Sequence, residues 1–196
     1  MSSVSSAPAV LHPLLAELRD QFAATKVDAS EVVNGLKESQ FNWRPDSRSW
    51  SMAECLLHLN IVGERYLKVL DNSLVQARAK RLTGGGSGYG LVGRWILDNT
   101  EPPPKRKFKA PREFSPSYGQ PITAVLPTFV HLQDQLARML EAANGLDLKR
   151  VRVPAPGLGP VRLNLHVTLA WIAAHQRRHL WQARQVRNHA AFPAAK

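Results

Sequence analysis

Four long stretches of the chain place apolar residues at the three- and four-residue spacing of an amphipathic helix. They cover residues 8–35, 51–80, 122–143 and 165–188. An apolar stripe of this kind has to be buried against another element, while the opposite face carries polar residues. The intervening segments are rich in proline and glycine, and a short alternating run near 150–153 suggests at most a minor strand pair. The sequence therefore predicts an all-α fold, a four-helix bundle.

The link between the second and third predicted helices is long. It contains a glycine-rich segment at 83–90, a short apolar run at 95–97 and prolines at 102–104, 111, 116 and 121. Proline lacks a backbone donor and fixes φ, so regular helix is disfavoured over about 20 residues. No strand precedes the glycines and no Gly-Lys-Ser/Thr follows them, which argues against a phosphate-binding loop. We expect a flexible connection at 83–90, a short helix and then an extended crossover.

The length of 196 residues suits one domain. We expect a disordered N-terminus at 1–7, a single helical domain at 8–190 and a C-terminal tail at 191–196. No apolar run approaches the roughly 18 residues of a membrane-spanning helix, and the start has no basic flank before an apolar stretch. A single cysteine excludes an intrachain disulfide and a multi-cysteine zinc site. We therefore expect a cytoplasmic protein with no membrane partner.

The charge is strongly basic. Lysine and arginine number 26 against 15 acidic residues, a net charge of +11, with basic clusters at 105–112 and along 149–196. Such a field attracts anions, including nucleic acid. No zinc finger or RNP motif accompanies it, and proline in the tract 105–112 opposes a groove-reading helix. We expect a solubilising or anion-steering surface, with no specific nucleic acid as partner.

Three histidines are candidates for a metal site. His175 and His179 are four residues apart on the last predicted helix, so both rings lie on one face and can reach one ion. His58 lies at the margin of the apolar stripe of the second helix. Three imidazoles with an open coordination position are typical of catalytic metal sites. The alternative is that His58 is a hydrogen-bonded residue at the edge of the core.

Two groups of residues in this chain carry a family resemblance. They are Trp43-Arg44-Pro45, Trp50-Ser51, Glu54 and His58-Leu59, followed by the run His175-Gln176-Arg177-Arg178-His179-Leu180-Trp181-Gln182. In order and spacing they resemble the DinB/YfiT-like four-helix bundle superfamily over nearly the whole chain. The resemblance implies an up-down-down-up bundle and a divalent metal on His58, His175 and His179. Zinc or nickel is the first expectation, and iron or manganese the alternative.

Several other residues near the stripes have candidate roles. Glu54 forms a capping box with Ser51, and it could also be a fourth ligand or a base. Cys55 is predicted to be a core residue. Gln182 could orient a metal-bound molecule or fill the bundle. The polar face of the second helix is expected to point away from the core and comprises Asn60, Glu64, Lys68 and Asp71. On the last helix, a solvated face is expected for Arg177, Arg178 and Arg184.

The sequence is compatible with two classes of function. The first is a metal-dependent enzyme acting on a small molecule, in which three neutral imidazoles leave the ion its full charge for activating water or a thiol. The resemblance implies thiol-dependent transferases and isomerases that use low-molecular-weight thiols, and metal hydrolases. The second is a non-enzymatic module that holds a metal or binds anions or nucleic acid. Unused helix stripes make a homodimer an additional expectation.

Overall fold

The computed structural model describes residues 10–105 and 110–194, so the predicted disordered segment 1–7, the centre of the basic tract and the last two residues lie outside it. Within these residues the helices are α1 (Pro13–Val33), α2 (Glu38–Phe41), α3 (Met52–Ala79), α4 (Gly90–Thr100), α5 (Ile122–Ala143) and α6 (Leu165–Arg187). Two short strands, β1 (Arg152–Pro154) and β2 (Arg162–Asn164), and a single 3-10 turn (Arg112–Phe114) complete the elements. The predicted all-α class is confirmed, and so is the minor strand pair.

The four long helices pack in alternation. Both α1 and α3 contact α5 and α6, while α4 lies against α6. Their apolar stripes form two clusters stacked along the bundle. Along α3 one cluster ends at Leu59 and the other begins at Val62, and along α6 one ends at Ala173 and the other resumes at Leu180. The polar residues between these limits lie at the junction of the two clusters.

Local signals account for the start and end of several helices. The Ser51 hydroxyl accepts a hydrogen bond from the Glu54 amide at 3.2 Å, and a Glu54 carboxylate oxygen accepts one from the Ser51 amide at 2.9 Å. This is the predicted capping box, and it starts α3. The Asn164 side chain accepts from the Val167 amide at 2.7 Å and starts α6 directly after β2. Helix α1 ends two residues before Gly35, whose φ of +72° favours glycine.

The glycine-rich segment is held by hydrogen bonds, so the predicted flexible connection is wrong. The amide of Gly88 donates to Nδ1 of His166 at 3.0 Å, and the carbonyl of Gly86 accepts from the amide of Lys149 at 3.1 Å. A Cβ atom at Gly86 would lie 2.5 Å from the Asp147 carboxylate. The segment therefore packs against the end of α5 and the start of α6, and glycine permits this close approach.

Two further expectations are corrected. Helix α4 extends well beyond the predicted run at 95–97 and packs against α6. Gly93 permits this close packing, since a Cβ there would lie 2.5 Å from a methyl of Val167. Asn60 was expected on the solvent face of α3, yet it is buried and donates to the Val125 carbonyl at 2.9 Å. In this bundle α3 is covered by both α5 and α6, so its buried face is wider than one apolar stripe.

Within the described residues, no helix combines the length and apolarity needed to cross a membrane.

Candidate metal centre

The packing of α3 on α6 brings the three predicted histidines together. His58 lies on the second turn of α3, and His175 and His179 lie one turn apart in the middle of α6. The ring centroids are 5.2 Å apart for His58 and His175, and 4.6 Å apart for each of the other two pairs. One ligand atom from each residue lies within 4.8 Å of the other two, so the group could hold a metal ion. Among the described residues no carboxylate or thiol joins this group.

Two of the rings are oriented by hydrogen bonds to their outer nitrogens. Nδ1 of His58 lies 2.8 Å from the carbonyl oxygen of Phe114, and Nδ1 of His179 lies 3.0 Å from Oε1 of Gln182. Because both partners are acceptors, each Nδ1 carries the proton and donates. Each Nε2 is then left with a free lone pair, which is the arrangement that metal-ligating histidines generally show.

The third ring has an unsatisfied nitrogen. Nε2 of His175 lies 3.4 Å from Nε2 of His58, but its buried Nδ1 has no hydrogen-bond partner in the part of the chain that is described. A buried polar atom without a partner is costly. The other ring nitrogen of His175, Nε2, faces His58 and could join the other two histidines in holding an ion, since imidazole nitrogens suit zinc, nickel and iron. The residues present therefore fit a divalent metal ion.

Burial keeps the cluster neutral. His58 and His179 are only 4% and 8% exposed. Burial lowers the pKa of His58, and it lowers the pKa of His179 to about 3, with the neighbouring His58 as a further cause. Burial also places the pKa of His175 well below its ordinary value, and both neighbouring histidines lower it further. The uncharged rings near neutral pH are the form that binds a metal.

Aromatic side chains enclose the cluster. The Trp50 ring lies 5.0 Å from His58 and stacks on His179 at 5.7 Å, while Trp171 stacks on His175 at 4.6 Å. These rings limit solvent contact with the imidazoles. Neither tryptophan was predicted as a site residue, although Trp171 precedes His175 by four residues and so shares its helix face.

The other candidates near the histidines have structural partners. The Glu54 carboxylate closes the capping box and accepts two hydrogen bonds from Arg44, one of them from Nε at 2.6 Å. Burial alone would raise the pKa of Glu54, but the bonds from Arg44 and Ser51 outweigh it and the pKa is lowered. Cys55 is a fully buried core residue, as predicted, and burial raises the pKa of its thiol. Gln182, whose role was open, orients His179.

The arginines of α6 correct another expectation. Arg177 forms an ion pair with Glu101, with 3.0 Å between Nε and Oε2, and Arg184 pairs with Asp28 at 2.8 Å. Arg178 donates to the backbone carbonyl of Asn99 at 3.0 Å. These contacts link α6 to α1 and to the end of α4. The three arginines are therefore paired with other elements, whereas a solvated face was expected. Their partners are the carboxylates of Glu101 and Asp28 and the carbonyl of Asn99, all on other elements. The positions of the arginines along α6 alone could not predict these contacts.

Fold and site together define a helical bundle with a cluster of three histidines that could bind a metal. The model of the DinB superfamily matches residues 21–183, and the chain belongs to that superfamily. No curated protein and no solved structure matches the chain.

Proposed function

We propose that this chain is a metal-dependent enzyme that acts on a small molecule, as a thiol-dependent transferase or a hydrolase, with one divalent ion on His58, His175 and His179. The observation that carries the proposal is the convergence of three neutral imidazoles, two of them with the outer nitrogen already hydrogen-bonded. Three protein ligands leave a coordination position for a substrate, as in catalytic sites of this type.

The surrounding residues restrict the chemistry. A divalent ion in such a cluster supplies Lewis-acid activation of water or of a thiol. The bonds to Phe114 and Gln182 hold the rings of His58 and His179 in place, and the rings of Trp50 and Trp171 pack against the cluster. Glu54, the nearest carboxylate considered as a base, is occupied by Arg44 and Ser51. Because no described residue places a free carboxylate beside the three histidines, the site favours a substrate or co-substrate that ionises readily, such as a low-molecular-weight thiol.

The donor set also ranks the metals. Imidazole nitrogens suit zinc, nickel and iron, whereas manganese prefers oxygen ligands. Zinc or nickel is proposed first and iron or manganese as the alternative, with manganese the least suited of the four to this donor set.

Metal analysis of the purified protein tests the site. The parent and the variant His131→Ala, which changes an exposed histidine outside the cluster, should each bind about one ion per chain. Alanine at His58, His175 or His179 should abolish stoichiometric binding while circular dichroism stays helical, because a core of this size does not need the metal to fold. If the parent takes up none of the four metals, or if His175→Ala binds as well as the parent, the proposal is wrong.

Activity needs a separate assay. The metal-loaded protein would be incubated with a small electrophile and a low-molecular-weight thiol, and separately with a panel of ester and amide substrates. We expect turnover in one of these assays that requires both the metal and His175. Equal rates from the parent and from His175→Ala would exclude catalysis at this site.

The net charge of +11 supports a second candidate, a non-enzymatic module that binds anions or nucleic acid. Electrophoretic mobility shifts with DNA at several salt concentrations test it. A shift that is lost at moderate salt and does not depend on sequence fits simple charge attraction. Tight binding at physiological salt by the metal-free protein would favour this candidate over the enzyme.

We also propose that the protein is cytoplasmic and forms a homodimer. Support for the dimer comes from α4, on which Leu91, Val92 and Trp95 are exposed on adjoining turns. Exposed apolar side chains in a group are typical of contact surfaces. Light scattering of the parent and of Trp95→Glu tests this, since a dimer through α4 should dissociate in the variant.

A further inference from the structure

A cavity lies away from the three histidines. It has a volume of about 250 Å³ and is lined by residues of α1, of α6 and of both ends of the α4 region. His166, on its wall, precedes His175 by nine residues, which is roughly 13 Å along α6. Arg177 also lines it, and this residue is rotated by roughly 200° around the helix from His175. The cavity is therefore distinct from the metal centre.

His166 presents a hydrogen-bond donor to this cavity. The residue is only 3% exposed, and its Nδ1 accepts a hydrogen bond from the Gly88 amide at 3.0 Å. The neutral ring must then carry its proton on Nε2, and burial lowers the pKa of His166, which keeps the ring neutral. No described residue accepts a hydrogen bond from that Nε2. Tyr89 stacks on the His166 ring at 4.3 Å between centroids and also lines the cavity.

The charge of the cavity is opposite to that of the protein. Three carboxylates line it, those of Glu17, Asp98 and Glu101, against the single guanidinium of Arg177. Arg177 is already paired with Glu101 and donates to the side chain of Gln21 at 2.8 Å. Glu17 and Asp98 have no cationic partner among the described residues. An acidic pocket on a chain of net charge +11 selects for a positively charged ligand.

We propose that this cavity binds a small organic cation that carries a protonated amine and a neighbouring hydrogen-bond acceptor, as in an amino alcohol. The ammonium group would contact the Glu17 carboxylate and the face of the Tyr89 ring. The hydroxyl oxygen would accept the free proton of His166, and an apolar part would lie against Leu14 and Leu97, which also line the cavity. The cavity volume limits the ligand to a size below that of a typical drug molecule.

Calorimetric titration with three matched probes tests the proposal. The probe 2-amino-1-phenylethanol carries both groups, 2-phenylethylamine lacks the hydroxyl, and 1-phenylethane-1,2-diol lacks the amine. The amino alcohol should bind best, and the loss of either group should weaken binding about tenfold, the effect of one hydrogen bond to a buried or charged partner. General attraction by the protein surface cannot imitate this order, because a chain of +11 repels cations.

A pair of variants on α1 locates the binding. Glu17→Gln removes the carboxylate at the cavity and should weaken both amines about tenfold without affecting the diol. Asp20→Asn removes an exposed carboxylate of the same helix that does not line the cavity, and it should leave all three affinities unchanged. Both positions are exposed on a helix, so circular dichroism and metal content should match the parent.

Three results would overturn the proposal. The first is the absence of saturable binding by any probe, and the second is equal binding of the amino alcohol by the parent and by Glu17→Gln. The third is loss of binding when the metal is removed, because the probe would then occupy the histidine cluster. The metal content of the variants is measured independently, so failure here leaves the proposed function unaffected.

Discussion

Acidification should lower the free energy of unfolding of the metal-free protein, because its three site histidines are buried as neutral rings. The buried rings are neutral in the folded protein, whereas in the unfolded chain each titrates near its ordinary pKa of about 6.5. Because burial lowers the pKa of His179 to about 3, the unfolded state takes up a proton that the folded state rejects. Stability is therefore complete above about pH 6.5 and is lost as the pH falls from there toward the folded pKa.

The size of the effect follows from the two pKa values. Between about pH 7 and pH 5, protonation of the unfolded chain at His179 lowers the free energy of unfolding by about 2 kcal/mol. The pKa values of His58 and His175 are also lowered by burial, so the whole cluster should lose more than this single residue. Lower pH should thus destabilise the metal-free protein in the range where carboxylates are still ionised.

Urea unfolding of chelator-treated protein at both pH values measures this. The variant His179→Gln cannot be protonated, so its free energy of unfolding should fall by about 2 kcal/mol less than that of the parent over the same interval. The control His131→Gln replaces an exposed histidine and should behave like the parent. The comparison of slopes cancels any constant change in stability caused by the substitution. Equal losses in the parent and in His179→Gln would refute the reasoning.

Three other outcomes are expected. Gln182→Leu leaves the donor of His179 without its acceptor and should lower metal affinity about 10- to 100-fold in a competition titration; unchanged affinity would contradict its orienting role. Arg44→Met leaves the buried Glu54 carboxylate without its partner and should cost about 3 kcal/mol in urea unfolding, with partial recovery on adding Glu54→Gln. Gly93→Val should overlap with α6 and cost about 1–3 kcal/mol, which a parent-like midpoint would disprove.

Local sequence patterns predicted most of the helices because their causes are local. The stripes depend on a period of 3.6 residues, and the Ser51 capping box acts across three positions. The same period places His175 and His179 on one face of α6. Local patterns did not predict the ordered conformation of the glycine-rich segment, because its hydrogen bonds go to residues far along the chain such as His166.

The histidine site combines both kinds of information. That two rings share a face is a property of one helix, but the approach of His58 to His175 spans 117 positions and depends on how α3 packs on α6. The carbonyl of Phe114 orients His58 from 56 positions away and belongs to the proline-rich crossover. That segment has no helical periodicity, so its contacts could not be predicted from the sequence pattern. The ion pairs of Arg177 and Arg184 depend equally on neighbouring helices. A helix repeat determines which residues share a face, whereas only the packing of several helices decides what that face meets.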